Sequence, residues 1–257
     1  MNAPCLILKD VCKTYPGRDG KDLVIALANV SFTVHAGEYL CLLGRSGCGK
    51  STLLTAISGL TAPDRGDIHS NGAGVSGPDR HRMLMFQQDA LFPWLDVLGN
   101  VMYGLQFVED LNRKERLEKA TWYLDLVGLS RFHHFRVEQL SGGMRQRVAL
   151  ARTLAPDPDI LLMDEPFSAL DAMTREQLYA DVQRIWNETR KTIIMVTHNA
   201  REAACLGTRI MLMSEGHIID DQPVSLPHPR TMNDPGIGQT ANRISRLLQE
   251  KELPEPI

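Results

Sequence analysis

No stretch of this sequence approaches the roughly 18 consecutive apolar residues that a membrane-spanning helix requires. The opening Met1-Asn2-Ala3-Pro4 lacks the features of a secretion signal. Lys and Arg together number 28 against 31 Asp and Glu, for a formal charge of −3, so no general polybasic surface argues for nucleic acid. The five cysteines, at 5, 12, 41, 48 and 205, are an odd number without metal-ligand spacing. They read as reduced thiols, with neither a disulfide framework nor a zinc site. Internal repeats and low-complexity segments are also missing. What remains is ordinary for a globular protein with a sizeable core: 257 residues, 43% hydrophobic and 23% charged.

Against this background two segments stand out. Residues 44–51 read Gly-Arg-Ser-Gly-Cys-Gly-Lys-Ser, which fills the pattern G-x-x-x-x-G-K-[ST] with Gly44, Gly49, Lys50 and Ser51. The apolar run Tyr39–Leu43 before it suits a buried strand, and residues 51–57 after it suit a helix. That is the context a phosphate loop needs. Glycines let the backbone approach phosphate oxygens, so the N–H groups of Gly44, Arg45, Ser46, Gly47, Cys48 and Gly49 can point inward at the start of a helix. Lys50 is placed to reach the β- and γ-phosphates, Ser51 to ligate Mg²⁺, and Thr52 to meet the α-phosphate side. Cys48 adjoins Lys50 and a helix N-terminus, both of which lower a thiol pKa. We therefore expect alkylation of Cys48 to block nucleotide binding, the alternative being a small residue that the loop merely tolerates.

The second segment is Ile160-Leu161-Leu162-Met163-Asp164-Glu165, an apolar strand that runs into two carboxylates. Adjacent like charges resist joint ionisation, and a nearby cation removes the objection. Asp164 is the candidate Mg²⁺ holder, through water, and Glu165 the candidate to polarise an attacking water.

With these two motifs, further residues in the right order make the chain resemble the ATP-binding cassette (ABC) ATPases, from about Leu6 to about Asp221. Leu140-Ser141-Gly142-Gly143-Met144 resembles the family signature, with Met144 where Gln is frequent. Gln87 resembles the Q-loop glutamine, Ser168-Ala169-Leu170-Asp171 the D-loop, His198 the switch histidine and Tyr15 the aromatic residue that stacks on adenine. Taken singly, each has a plainer reading: Tyr15 as rim, His198 as a satisfied polar residue, Ser141 as a helix cap. Their order and spacing join them as a set. The resemblance implies ATP and Mg²⁺ as cofactors and two copies facing head to tail. Each ATP would lie between Lys50 of one copy and Ser141, Gly142 and Gly143 of the other. It implies catalysis by Glu165, His198, Lys50 and Gln87, metal contacts from Ser51, Gln87 and Asp164, and nucleotide contacts that include Asp171.

The resemblance also implies the fold, an α/β P-loop NTPase (RecA-like) core with an antiparallel β lobe and an inserted helical lobe, as one domain over 1–257. Strands are expected at 6–15, 24–34 and about 66–69, the first two joined by the turn Pro16–Gly20. Residues from about 92 to 154 are expected to be mainly helical, with an amphipathic helix over 114–127 that Gly128 stops. Strands at 160–164 and 192–197 return to the core. Residues 209–219 are expected to form a closing hairpin with Glu215-Gly216 at its turn, and 222–257 a tail with one short helix.

Within the family, four stretches resemble the nitrate/sulfonate/taurine importer branch: Leu91–Trp94, Asn100-Val101, Asp164–Asp171 with Thr174-Arg175, and Leu226–Arg230. This implies membrane permease subunits as partners, with a second copy or a paralogous ATPase subunit and an exported solute-binding protein. The chain would sit on the cytoplasmic face of the inner membrane and drive uptake of a small anion. Leu91, Phe92 and Trp94 could line a groove for a permease helix or form the lobe's own core. Other classes fit less well. A chromosome-maintenance ATPase needs a long coiled coil between Lys50 and Ser141, and a translation-factor type carries two cassettes. A GTPase needs an Asn-Lys-x-Asp element, which is absent. An exporter subunit is set aside only by resemblance.

Overall fold

The computed structural model describes residues 3–17 and 22–251, which fall into two compact units, one built from residues before 79 and after 191, the other from 79–191. In the first, strands β1 (Pro4–Pro16) and β2 (Leu23–His35) pair antiparallel from Pro4 opposite His35 to Pro16 opposite Leu23. The turn expected between them lies mostly outside the described residues. On its other side β1 pairs antiparallel with β4 (Arg65–Ser70), which carries the two-residue β5 (Ala73–Gly74), giving the order β2-β1-β4-β5. This is the expected antiparallel lobe.

A parallel group occupies the centre of the same unit. Strand β3 (Tyr39–Leu43) lies between β8 (Thr192–Thr197) and β9 (Arg209–Ser214), and is parallel to both. All five residues of β3 and all six of β8 are buried. Continuous burial is why these segments read as unbroken apolar runs rather than alternating ones. β9 turns through Glu215 and Gly216, both at positive φ (45° and 81°), into the antiparallel β10 (His217–Pro223). Helix α1 (Lys50–Ser58) follows β3 and the glycine loop, while α6 (Ala200–Leu206) follows β8.

The expectation of a short terminal helix needs correction. Helix α7 (Pro235–Lys251) has 17 residues, and its buried Ile237, Ala241 and Ile244 form one stripe at helical spacing. The stripe packs against α6, and Lys251 binds the Asp220 carboxylate of β10 at 3.0 Å. So this segment belongs to the core of its unit.

The second unit holds the parallel pair β6 (Arg82–Met85) and β7 (Ile160–Asp164), and helices α2 (Val97–Leu105), α3 (Arg113–Leu126), α4 (Gly142–Leu154) and α5 (Ala172–Thr189). One turn of 3₁₀ helix at Val137–Gln139 precedes α4. Helix α3 starts on an Asn112–Glu115 capping box, and the chain leaves it at Gly128 with φ 75°. The expected amphipathicity is only partial. Ala120, Tyr123, Leu124 and Leu126 are buried, but Leu117 and Trp122 stay about half exposed on the outer face.

Candidate active site

In the first unit the loop between β3 and α1 closes on itself. Lys50 is buried (5% exposed), and its ammonium donates to the carbonyls of Gly44 and Arg45, each at 2.8 Å. Gly49, at the mouth of α1, has φ 105°, and a Cβ there would strike the Ala26 carbonyl. At Gly44 a Cβ would strike the Met213 carbonyl. Glycine is therefore required at both positions by close backbone approach. The Cys48 carbonyl accepts from Gly216 N–H at 3.0 Å, and the Gly216 carbonyl accepts from Ala28 N–H at 2.9 Å. The tip of the β9–β10 hairpin thus buttresses the loop from below, a support with no sequence motif.

This geometry fits a phosphate group. The cradle is held open by residues without side chains, begins a helix, and contains a lysine whose present partners are loop carbonyls that an anion can outcompete. Gly44 through Gly49 connect β3 to α1, and Ser51 is exposed on the first turn of that helix.

For Cys48 the surroundings favour the alternative, a small residue that the loop tolerates. Burial pushes its thiol pKa up, and this outweighs the opposing charge and hydrogen bonds of Lys50. The Sγ lies 3.8 Å from the Lys50 ammonium yet is almost shielded from solvent. Cys48 is a small buried residue of the loop.

Tyr15 is 38% exposed near the end of β1, paired with Val24. The Lys13 ammonium stands 5.7 Å from its ring centroid and binds Asp64 at 2.7 Å. Hydrogen bonds from Lys13 and then Thr14 lower the Asp64 carboxyl to about 2. His198 is exposed in the tight turn from β8 to α6. That turn is fixed by the Asn199 side chain, which caps α6, and by a short hydrogen bond from the Thr197 hydroxyl to the buried Glu202 carboxylate.

The second unit brings together the remaining candidates. Asp164 ends β7 half-buried, and Glu165 follows with φ 43°, a left-handed conformation uncommon for a residue with a side chain. The Ser168 hydroxyl donates to the Glu165 carbonyl at 3.0 Å and accepts from the Gln87 amide at 3.4 Å. Gln87 is thereby joined to the turn that carries Glu165. Ser141 caps α4, accepting from Met144 N–H, and leaves Gly142 exposed at the helix mouth. A Cβ on Gly143 would strike the Thr174 methyl of α5, so this signature glycine serves close helix packing. Asp171 caps α5 through Thr174, whose hydroxyl and N–H hold its carboxyl below the usual range. A cleft of about 710 Å³ is lined by Gln87, Asp89, Gly142, Arg145, Gln146 and Ser168 among others.

Among the described residues no cluster of three His, Cys, Asp or Glu could cage a metal, and no helix is long and apolar enough to cross a membrane. Mg²⁺ beside a nucleotide needs no such cage, because it takes most of its ligands from phosphates and water. In the first unit the hydroxyl of Ser51, and in the second the carboxylate of Asp164, are of the donor types that Mg²⁺ accepts.

Sequence reasoning missed Arg145, Gln146 and Arg152 of α4, which bind the segment carrying Gln87. Its only available signal was the seven-residue spacing of Arg145 and Arg152, which repeats one face of a helix.

Comparison with known proteins agrees with this picture. The model of the family described as ABC transporter matches residues 27–168. The nitrate import ATP-binding protein NrtD of Synechocystis sp. (strain ATCC 27184 / PCC 6803 / Kazusa) is 40% identical, over 96% of this chain and 90% of its own. The taurine import ATP-binding protein TauB of Roseobacter denitrificans is 48% identical over 75% of this chain and 72% of its own. A solved dimer of MJ0796, a bacterial ABC transporter cassette, superposes with a TM-score of 0.77 at 34% identity, covering 86% of this chain and all of that one. The chain belongs to the ABC transporter family and is one of its ATPase cassettes.

Proposed function

We propose that the chain is the Mg-ATP-hydrolysing subunit of a membrane importer, working as a pair on permease subunits to drive uptake of a small anionic solute. The observation that carries the ATPase reading is the glycine cradle with the buried Lys50 at the mouth of α1. The importer reading is supported by the nitrate and taurine import proteins that resemble nearly the whole chain or most of it.

The chemistry divides among the residues as follows. Gly44 through Gly49 offer N–H groups to phosphate oxygens, and Lys50 neutralises charge that develops on the transferring phosphoryl group. Tyr15 gives the base a flat apolar face. Ser51 and Asp164, with Gln87, would hold Mg²⁺, which when bound offsets phosphate charge. Glu165 orients and deprotonates water. His198 holds the γ-phosphate, and Asp171 lies at the edge of the nucleotide site. Ser141, Gly142 and Gly143 present the free N–H groups of a helix N-terminus to the nucleotide of a second copy, so ATP joins the pair and hydrolysis releases it.

Docking on the permease is assigned to an aromatic strip on the second unit. Phe92 stacks on Trp94 (centroids 5.3 Å) and on Tyr103 (4.5 Å), and Tyr103 meets Phe107 edge-on (5.8 Å). Trp94 is 76% exposed and Phe107 65%, which favours the docking reading of Trp94 over the core reading. Docked there, the chain would be peripheral to the inner membrane on its cytoplasmic side.

Two experiments test the reading. Purified chain should hydrolyse ATP only with Mg²⁺. Tagged chain purified from its own host's membranes in mild detergent should bring a multi-helix membrane protein and an exported binding protein, identified by mass spectrometry. A membrane protein without a binding protein would shift the assignment to an exporter. Recovery solely with ribosomes or nucleic acid would overturn transport and leave the ATPase chemistry intact.

A further inference from the structure

The segment after β6 has no regular structure of its own, yet side chains from two helices hold it almost residue by residue. From α4, the nearly buried Gln146 donates its amide to the Gln87 carbonyl at 3.3 Å. Arg152 donates to the Asp89 carbonyl at 3.0 Å and the Ala90 carbonyl at 2.8 Å, and its guanidinium lies 5.3 Å from the Phe92 ring centroid. Arg145 stands 3.5 Å from the Asp89 carboxylate. Arg145 and Arg152, seven residues apart, share one face over two turns of α4, the helix that begins at the signature, and Gln146 lies on the side next to it. From α2, the fully buried Asn100 accepts from Phe92 N–H at 2.8 Å and donates to the Phe92 carbonyl at 3.2 Å.

Arg152 is the centre of this arrangement. A half-buried guanidinium whose two ends meet two different carbonyls fixes a loop in a way that a single donor does not. Here its planar fork fixes two successive carbonyls, Ala90 being in the left-handed region at φ 45°. The same group lies over the first ring of the exposed aromatic strip. One side chain therefore touches the Gln87 segment, the docking strip and the signature helix.

We propose that Arg152 is a positioning residue for ATP hydrolysis: it locks the segment 87–92 to α4, so that Gln87 and the aromatic strip move with the signature helix as one body. The proposal rests on the ATPase reading, with Gln87 as the group through which Arg152 acts. The partners of Arg152 described above, Asp89, Ala90 and Phe92, carry no nucleotide role in the proposed function, so its removal should act on turnover and spare nucleotide affinity.

The test is a double-mutant cycle on the full-length chain, reading kcat and KM for ATP with a thermal melt for each variant. Arg152→Ala and Gln87→Ala should each lower kcat by about tenfold or more, and Arg152→Ala should leave KM for ATP within about twofold of wild type. The double variant should be no slower than the worse single variant by more than about twofold, because both remove the same interaction. Arg152→Lys, which keeps charge but loses the fork, should recover part of the loss. If Arg152→Ala does not fold, Arg152→Gln retains a donor and most of the volume and carries the same cycle. Multiplying losses in the double variant over an active wild type would overturn the inference alone, as would a rise in KM with kcat unchanged. A wild type without Mg-dependent turnover would overturn the proposed function and this inference with it.

Discussion

Glu165 follows the last residue of β7 in a left-handed backbone conformation, φ 43°, and the Ser168 hydroxyl holds its carbonyl. A conformation that side-chain-bearing residues rarely adopt persists when its surroundings impose it, and such positions gather at working sites. Glutamine keeps the shape and the hydrogen-bonding reach while losing the base. Glu165→Gln should therefore bind MgATP, lose about 10²–10⁴-fold in kcat and accumulate as an ATP-bound dimer, seen by size-exclusion chromatography. Turnover near wild type would remove Glu165 from its role. Cys48 gives the opposite lesson. Its neighbours in sequence predict a reactive thiolate, but burial outweighs Lys50, so its pKa rises and the thiolate fraction near neutral pH falls. Labelling at pH 7 should be slower at Cys48 than at the half-exposed Cys12 and should quicken as pH rises, which mass spectrometry of quenched time points reads directly. The residues of the phosphate loop were legible because the motif specifies backbone geometry. The state of the thiol was not, because burial depends on chain distant in sequence: Gly216 and Met213 close the loop from the β9–β10 hairpin.

At the scale of elements the buried strands were the clearest to read, since β3, Ile160–Met163 of β7 and Ile193–Val196 of β8 are unbroken apolar runs that are buried. Helix α7 was not legible in its true length. Only Ile237, Ala241 and Ile244 of its 17 residues are buried apolar groups, and a sparse stripe in a polar segment reads as tail until α6 supplies the surface it covers. What leads the chain to that surface is Arg230, which is 4% exposed. It donates to the Ala204 and Gly207 carbonyls at 2.7 Å each, and to the Leu226 carbonyl through its Nε at 3.1 Å. The first two are acceptors at and just beyond the end of α6, where helical carbonyls lack intrahelical partners. Arg230→Met keeps much of the volume but leaves these acceptors unmet. It should cost about 2–4 kcal/mol by the penalty for unsatisfied buried polar groups. A lowered urea midpoint at unchanged slope would report it, and an unchanged midpoint would show that water replaces the guanidinium.

For the whole molecule, the sequence-level resemblance extended to a partner, and the aromatic strip is where that claim can be tested. Phe92, Trp94, Tyr103 and Phe107 contact one another in series, and most of Trp94 and Phe107 faces solvent. Aromatic side chains exposed together are characteristic of surfaces that another protein covers, where they carry much of the binding energy. They are a poor choice for a surface that stays wet. Because Trp94 contributes little to its own unit's core, Trp94→Ala should leave the thermal midpoint within about 2 °C, as expected for a substitution outside the packed interior. Basal Mg-ATPase of the isolated chain should likewise persist. In the complex with the permease, reconstituted in liposomes, the same substitution should weaken solute-stimulated ATPase by about 10-fold or more, the loss of roughly 1.4 kcal/mol or more expected for a hot-spot aromatic. Basal and stimulated rates falling together would mean that Trp94 supports the fold of its lobe. Stimulation intact in the variant complex would place the permease contact elsewhere on this surface.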